Sequence, residues 1–431
     1  MKSGATARRF KVAFVAGSYL PQQCGMADYI AHLRQALQER GVDTIVFTDT
    51  ETARTANDPS VLGAVRGWRL RDLAPLVRIL HLSDANIVHI QYSAGNYDFR
   101  RGVFFLPLLA GLFSLPVPLV TTLHEYGWWE WRLPILPTRT EEQIKSWGQT
   151  KGYWDRENAF LLTLSSAVIT THDESRRMVL ERLPQRRPPT VHIPIASTIA
   201  VYPAMQDAAR LHLRERCAWP GNARIIVFFG FLHPVKGLET LLEAFRIVLS
   251  KMPSARLLLL GGIESLFLRG TEAARYRDVL LTFIARLGLD DRVYTTGYVS
   301  AEAASLCLSG SDVGVLPFDR GVDMKCASLL ALMAHGLPVV ATFRDPPVPQ
   351  FGEGLLRLVP PRDPGMLAAE IMELLKDRRA MSRMSVDSVA FARKFSWAAI
   401  AEEHIGLYRT LAEGKNMAVR GDVRREGRAI L

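Results

Sequence analysis

The chain has 431 residues, more than one ordinary hydrophobic core organises, so two domains of about 200 residues each are expected. Its 48% hydrophobic and 22% charged residues describe a globular chain and exclude a disordered one. The net charge of +10 suits an anionic partner: a nucleic acid, a phosphate-bearing ligand or an acidic membrane surface. Part of that charge lies at the ends, in Arg8, Arg9, Arg424, Arg425 and Arg428, in tails expected to be disordered. Cys24, Cys217, Cys307 and Cys326 are scattered, with no CxxC pair and no zinc-like histidine spacing. A reducing, cytoplasmic location without a metal site is the expectation. The first apolar run, VAFVAG, is too short for a secretory signal and reads as a strand. No nucleic-acid recognition module is evident.

In chain order, KVAFVAG (11–17), TIVFTDT (44–50), NIVHIQY (86–92), LVTTLHE (119–125) and AVITTHD (167–173) are short strand-like runs. Between the first two, Tyr29, Ile30, Leu33 and Leu37 recur at helical spacing, with Gly41 as the stop. Val103–Val120 carries no charge and nearly spans a bilayer, but Pro116 and Pro118 limit its helix to about a dozen residues before a strand. A buried helix leading into a core strand is expected there; a face dipping into a bilayer is the alternative. Around VHIPIAST (191–198) the alternation lapses into a less regular connection. It resumes with RIIVFFG (224–230), ARLLLLGG, RVYTTGYV, SDVGVLPF and LPVVAT. After Gly237, residues Leu238, Leu241, Leu242, Phe245, Val248 and Leu249 share one helix face. Residues 365–412 read as helices. Strands separated by helices imply two doubly wound parallel sheets, with ligands at the carboxyl ends of the strands in a cleft between the domains.

The ordered set PQQCGMADYIAHLRQAL, IVHIQY, TLHEY, FFGFLHPVKGLETLLEAF, GYVSAEAASLCLSGSDVGVLPF and LLALMAHGLPVVAT resembles the GT-B fold retaining glycosyltransferases of group 1, family 4. The resemblance covers residues 10–412. It implies two Rossmann-like domains, 1–200 on the acceptor side and 201–395 on the nucleotide-sugar side. A helix over 396–415 would return to the first domain, and 416–431 would be a basic, disordered tail. It also implies a nucleoside diphosphate sugar donor, a hydroxyl acceptor (a glycan, a lipid-linked glycan or a small molecule) and no metal requirement.

PVKG alone fits a solvated surface turn. Beside the other motifs, the resemblance makes Lys236 a contact to the donor phosphates, with Gly237 allowing close backbone approach and the following helix offering free N–H groups. The family's arginine just after this strand is replaced by Phe231, and Lys325 is expected to substitute for it. Of the family's two glutamates, the first aligns with Asp323 and the second with Ala331, which cannot bind ribose. The diphosphate contacts expected instead are Ser328 and the backbone N–H groups of Ala327 and Ser328. Gly230, Gly262 and Tyr298 complete the donor-side set.

His124, in TLHEY, is implied to face the donor sugar; read alone it is an ordinary structural histidine. Glu125 would orient it or the acceptor. His89 reads as structural or as lining the acceptor side, and His172 carries less. Gly25 opens the first helix, either to admit a ligand or as a plain helix start. The loop has no GxGxxG pattern, which argues against a nicotinamide or flavin enzyme. Trp128, Trp129, Trp131, Trp147 and Trp154 crowd residues 125–157, where indoles stack on sugars, sit at a membrane interface or pack a core. His124, Lys236 and Asp323 are the expected catalytic residues. A non-catalytic nucleotide-sugar-binding subunit and a nucleotide-sugar 2-epimerase are the other readings.

Overall fold

Runs of Val, Ile, Leu and Thr wide enough for one strand, separated by amphipathic helices, build two parallel sheets. This computed structural model describes residues 9–132, 136–183, 188–202, 206–265, 268–352 and 354–426. The chain divides into unit 1, up to Pro194 and again from Trp397, and unit 2, Ile195–Ser396. The divisions fall at 194/195 and 396/397, where 200/201 and 395/396 were expected.

Unit 1 runs β1 (Lys11–Ala16), α1 (Gly25–Gln38), β2 (Asp43–Asp49), α2 (Thr50–Ala56), β3 (Val61–Val65), α3 (Leu73–Leu82), β4 (Ile87–Tyr92), α4 (Leu106–Leu112), β5 (Leu119–Leu123), α5 (Thr138–Thr150), α6 (Phe160–Thr163), β6 (Ala167–Thr170), α7 (Asp173–Arg182) and β7 (Thr190–His192). Its strands are parallel in the order β3-β2-β1-β4-β5-β6-β7. Every residue of β4, β5 and β6 is buried, as befits strands covered on both faces. The outer strands β3 and β7 are short and partly exposed, and neither was expected from the sequence.

The uncharged stretch 103–120 is a 3₁₀ turn (Gly102–Phe105), α4 and the start of β5. Val103, Phe104, Leu106 and Ala110 are buried, as the buried-helix reading expects, whereas Leu112 and Phe113 are exposed. Among the described residues no helix is long and apolar enough to cross a membrane.

Unit 2 continues with α8 (Gln206–Arg216), β8 (Arg224–Phe229), α9 (Leu238–Lys251), β9 (Ala255–Leu260), α10 (Gly270–Arg286), β10 (Val293–Thr295), α11 (Ala301–Ser309), β11 (Val313–Leu316), α12 (Ala327–Ala334), β12 (Val339–Thr342), β13 (Arg357–Val359), α13 (Pro364–Lys376) and α14 (Arg378–Ala392). Its parallel order is β10-β9-β8-β11-β12-β13. On α9, Leu238, Leu241, Leu242, Phe245 and Val248 are fully buried in the core.

The last helix, α15 (Trp397–Glu426), belongs to unit 1 and packs on α1. Trp397 stacks on His32 at 5.3 Å and meets Tyr29 edge-on at 5.2 Å, and Glu402 pairs with Arg40 at 2.7 Å. Residues 416–426, expected as a disordered tail, continue this helix, and 427–431 lie outside the described residues. Deeper in unit 1, Tyr408 is fully buried, with its hydroxyl 2.6 Å from His89 Nδ1. Replacing Tyr408 by Phe removes this bond, leaves that nitrogen only the 3.4 Å approach of Gln91 Nε2, and is expected to destabilise the protein by about 1–3 kcal/mol. Urea unfolding of wild type and variant measures this; equal midpoints would contradict it.

Candidate functional site

In both sheets the strand order reverses once, between β1 and β4 in unit 1 and between β8 and β11 in unit 2. At such a reversal the flanking connections leave toward opposite faces, and a crevice opens at the carboxyl ends of the two strands.

In unit 2 that position gathers the expected donor-side residues. β8 ends into Gly230, whose φ of +137° suits glycine; a Cβ there would stand 2.8 Å from Ser328 Oγ. A 3₁₀ turn, Pro234–Lys236, follows, with His233 Nδ1 accepting from Val235 N–H at 3.4 Å. Gly237 closes the turn at φ +66°, and a Cβ there would lie 2.0 Å from the Pro317 carbonyl oxygen just after β11. No other residue fits that approach without displacing the backbone. The tight packing seats half-buried Lys236 with its Nζ 3.8 Å from the ring centroid of Phe318. No carboxylate lies within ion-pair distance of this ammonium among the described residues. Burial lowers its pKa, and nearby Lys325 adds to the effect; Cys326 and Asp323 act the other way. The turn therefore presents a desolvated cation held by an aromatic face, a ready partner for an anion.

α12 starts at Ala327 behind Cys326 and has no side-chain cap. The N–H groups of Ala327 and Ser328 reach no backbone carbonyl among the described residues. Asp323, expected to be catalytic, is already engaged. Its Oδ2 accepts from Arg344 Nη1 at 2.7 Å and pairs with Lys325 Nζ at 3.7 Å, while its Oδ1 accepts from Lys325 N–H at 3.1 Å. The carboxylate thus holds two cations beside the turn rather than standing free. Arg344, just past β12, was not anticipated; its only sequence signal is a cation two residues beyond an apolar run. Ala331 is fully buried in the core. Gly262 O accepts from Leu232 N–H at 2.8 Å, and a Cβ on Gly262 would touch Tyr298 at 3.2 Å. Tyr298 and Gly262 therefore sit together at the end of β9, next to β8.

In unit 1 the corresponding edge carries Gly25 and His124, the site residues expected in the first domain. Gly25 is the first residue of α1, after Cys24 whose Sγ accepts from Ala27 N–H at 3.3 Å, and the space a Gly25 side chain would occupy is open. His124 follows β5, half-buried, with its ring edge-on to Tyr29 at 4.7 Å. Its Nε2 lies 2.9 Å from Gln91 Oε1. The Gln91 NH₂ faces His89, so its carbonyl accepts the Nε2–H of His124 and leaves Nδ1 as an acceptor. Burial drives the His124 pKa down to about 3, so this imidazole is neutral and cannot serve as a cation. His89 is structural: fully buried, with Thr122 on Nε2 at 2.7 Å and Tyr408 on Nδ1. His172 bonds Ser175 Oγ at 3.0 Å at the head of α7.

The tryptophans of 125–157 divide. Trp129 and Trp131 pack against the unit 1 core and Trp154 against Phe160, while Trp128 and Trp147 are exposed. Trp128 meets the exposed Phe99 edge-on at 6.4 Å, and Phe99 meets Trp129 at 5.8 Å. Phe99 has φ +54°, a strained conformation for an aromatic residue. Glu157 fixes this corner from beneath, accepting from Gly127 N–H at 2.6 Å and pairing with Arg182 at 3.1 Å. Among the described residues no group of three or more His, Cys, Asp or Glu could hold a metal ion.

Residues 24–195 match the family described as "Glycosyltransferase Family 4", and residues 223–377 the family described as "Glycosyl transferases group 1". A D-inositol 3-phosphate glycosyltransferase of Kineococcus radiotolerans is 24% identical over 91% of each chain. A mannosylfructose-phosphate synthase of Agrobacterium fabrum is 26% identical over 75% of this chain and 70% of its own. Among solved structures, sucrose-phosphate synthase from Thermosynechococcus elongatus superposes with TM-score 0.67 at 20% identity, over 94% of this chain and 100% of that one. Anabaena HepE in complex with UDP and glucose gives 0.64 at 17% identity, over 93% and 100%. These likenesses identify the GT-B fold.

His124 with a pKa of about 3 and His404 with one of about 4 are held neutral chiefly by burial, as is His89. Below pH 6.5 the folded chain then binds fewer protons than the unfolded one. Stability is present above that pH and is lost as pH falls toward 4, by about 1.4 kcal/mol per unit for each histidine. His404 is fully buried and its Nε2 has no hydrogen-bond partner among the described residues. His404→Leu is therefore expected to flatten this slope by one histidine's share. Thermal melting between pH 7 and 4.5 checks both; parallel profiles for wild type and variant would contradict the assignment.

Proposed function

Because the chain belongs to the group 1 and Family 4 glycosyltransferases, we propose that it moves a glycosyl group from a nucleoside diphosphate sugar to a hydroxyl acceptor, with retention at the anomeric carbon. One observation carries the donor reading: a half-buried ammonium, Lys236, without a carboxylate partner among the described residues, at the strand-order reversal of unit 2. Transfer breaks the bond from the anomeric carbon to the diphosphate oxygen and leaves negative charge there. Lys236 stabilises that charge as it develops, assisted by the N-terminal turn of α12 with Ser328, while Lys325 and Arg344 add positive potential through Asp323. The HepE complex with UDP and glucose supports a nucleoside diphosphate as the bound species.

With no free carboxylate assigned as nucleophile, the reading is front-face attack. The acceptor oxygen bonds to the anomeric carbon on the side the phosphate leaves, and the acceptor proton passes to the departing phosphate oxygen. Neutral His124 acts by accepting a hydrogen bond from a sugar hydroxyl at Nδ1, which orients the donor. On the acceptor side, Phe99 and Trp128 offer faces on which a sugar ring stacks, so the acceptor is a glycan or another sugar-bearing molecule. The reaction needs no metal in this reading. Buried Ala331 and the engaged Asp323 favour, as the second reading, a subunit that binds donor without transferring it.

Nucleoside diphosphates are expected to raise the melting temperature of the wild type and not of Lys236→Ala. Transfer should fall on the order of 10²-fold or more in the variant, with its circular dichroism unchanged. Equal turnover would remove Lys236 from its role. Donor binding without transfer to any acceptor would select the second reading, and donor consumption without an acceptor would indicate epimerisation.

A further inference from the structure

In a parallel sheet every connection that enters a strand lies at the same edge, here the edge opposite the candidate site. The turns entering β4, β5 and β6, which are neighbours in the sheet, each expose a large apolar side chain at this amino edge. They are Leu82 (72% exposed), Leu112 (70%) with Phe113 (56%), and Leu164 (45%). Two aromatic residues adjoin them. Tyr153 (44% exposed) offers its carbonyl to Thr163 Oγ1 at 3.1 Å, next to Leu164, and Trp147 (54%) packs on Tyr153 at 5.4 Å. A solvated monomer surface scatters such residues singly; here six share one edge.

The chemistry of the edge points to its occupant. Leu112 and Phe113 form the tip of a stretch, 103–120, without one charged residue. Trp147 and Tyr153, beside Leu164, are residue types whose apolar body and polar atom suit a headgroup boundary. Exposed Arg78 lies one turn before Leu82 on α3 and exposed Lys151 two residues before Tyr153, while Arg9 at the entry to β1 pairs with Asp43 and Asp84 is exposed nearby. The whole chain adds a net charge of +10. A second copy would bring another chain of net charge +10 to this edge, whereas anionic headgroups complement positive charge.

We propose that the amino edge of the unit 1 sheet docks on an anionic lipid bilayer, with Leu112 and Phe113 inserted and Trp147 and Tyr153 at the headgroup level. This surface lies at the opposite end of the unit 1 strands from Gly25 and His124 and does not depend on the transferase reading. The test is sedimentation of the full chain with vesicles of phosphatidylcholine and phosphatidylglycerol, comparing wild type with the Leu112→Glu/Phe113→Glu double variant. Retention of the wild type is expected to fall at least tenfold in the variant. Because both side chains are exposed, the variant's melting temperature and nucleoside diphosphate response should hold. Wild type left in the supernatant overturns the proposal, and so does a variant retained as well as wild type. A concentration-dependent dimer that the double substitution abolishes would also overturn it, assigning the face to a second copy.

Discussion

A parallel sheet that reverses its strand order must send two adjacent connections to opposite faces, and the space between them cannot be filled by either helix. In unit 2 that constraint falls between β8 and β11, and the chemistry assigned to the protein depends on what lies there. Gly237 lets the turn press against the Pro317 carbonyl, a distance no side chain tolerates. The press brings Lys236 over Phe318, where it is partly stripped of water and has no counter-ion among the described residues. A cation placed so costs folding free energy that solvation would otherwise supply. An anion arriving at the site recovers that cost, which is how a folded scaffold prepares a place for a diphosphate.

The surrounding charges act through Asp323. Bound to Arg344 and Lys325, this carboxylate orients positive charge and does no chemistry of its own in the arrangement seen. In unit 1 the analogous economy is one of neutrality. His124, His89 and His404 are kept uncharged by burial, and Gln91 fixes which nitrogen of His124 carries the proton. A neutral ring can accept a hydrogen bond from a hydroxyl without bringing a charge of its own.

Much of this was legible in the residues. Interior strands announced themselves as unbroken apolar runs because both of their faces are covered, and the α9 face was readable from its spacing. The edge strands β3, β7 and β13 were not, since half-exposed three- to five-residue segments lack that run. Lys236, Gly237, Ser328 and Lys325, far apart in the chain, lie around one turn past β8. What the chain could not disclose were relations between distant segments: the Arg344–Asp323 pair joins two loops, and the His124 tautomer depends on a glutamine from another strand. Helix α15 illustrates the same limit, for its basic end reads as a tail in composition yet continues a helix whose Trp397 and Tyr408 are tied to α1 and β4.

The most direct test of the central claim is a crystal structure of the protein grown with a nucleoside diphosphate. The account predicts the terminal phosphate in contact with Lys236 Nζ and the first N–H groups of α12, at the carboxyl ends of β8 and β11. A diphosphate bound elsewhere, with Lys236 still resting on Phe318 and unengaged, would contradict it.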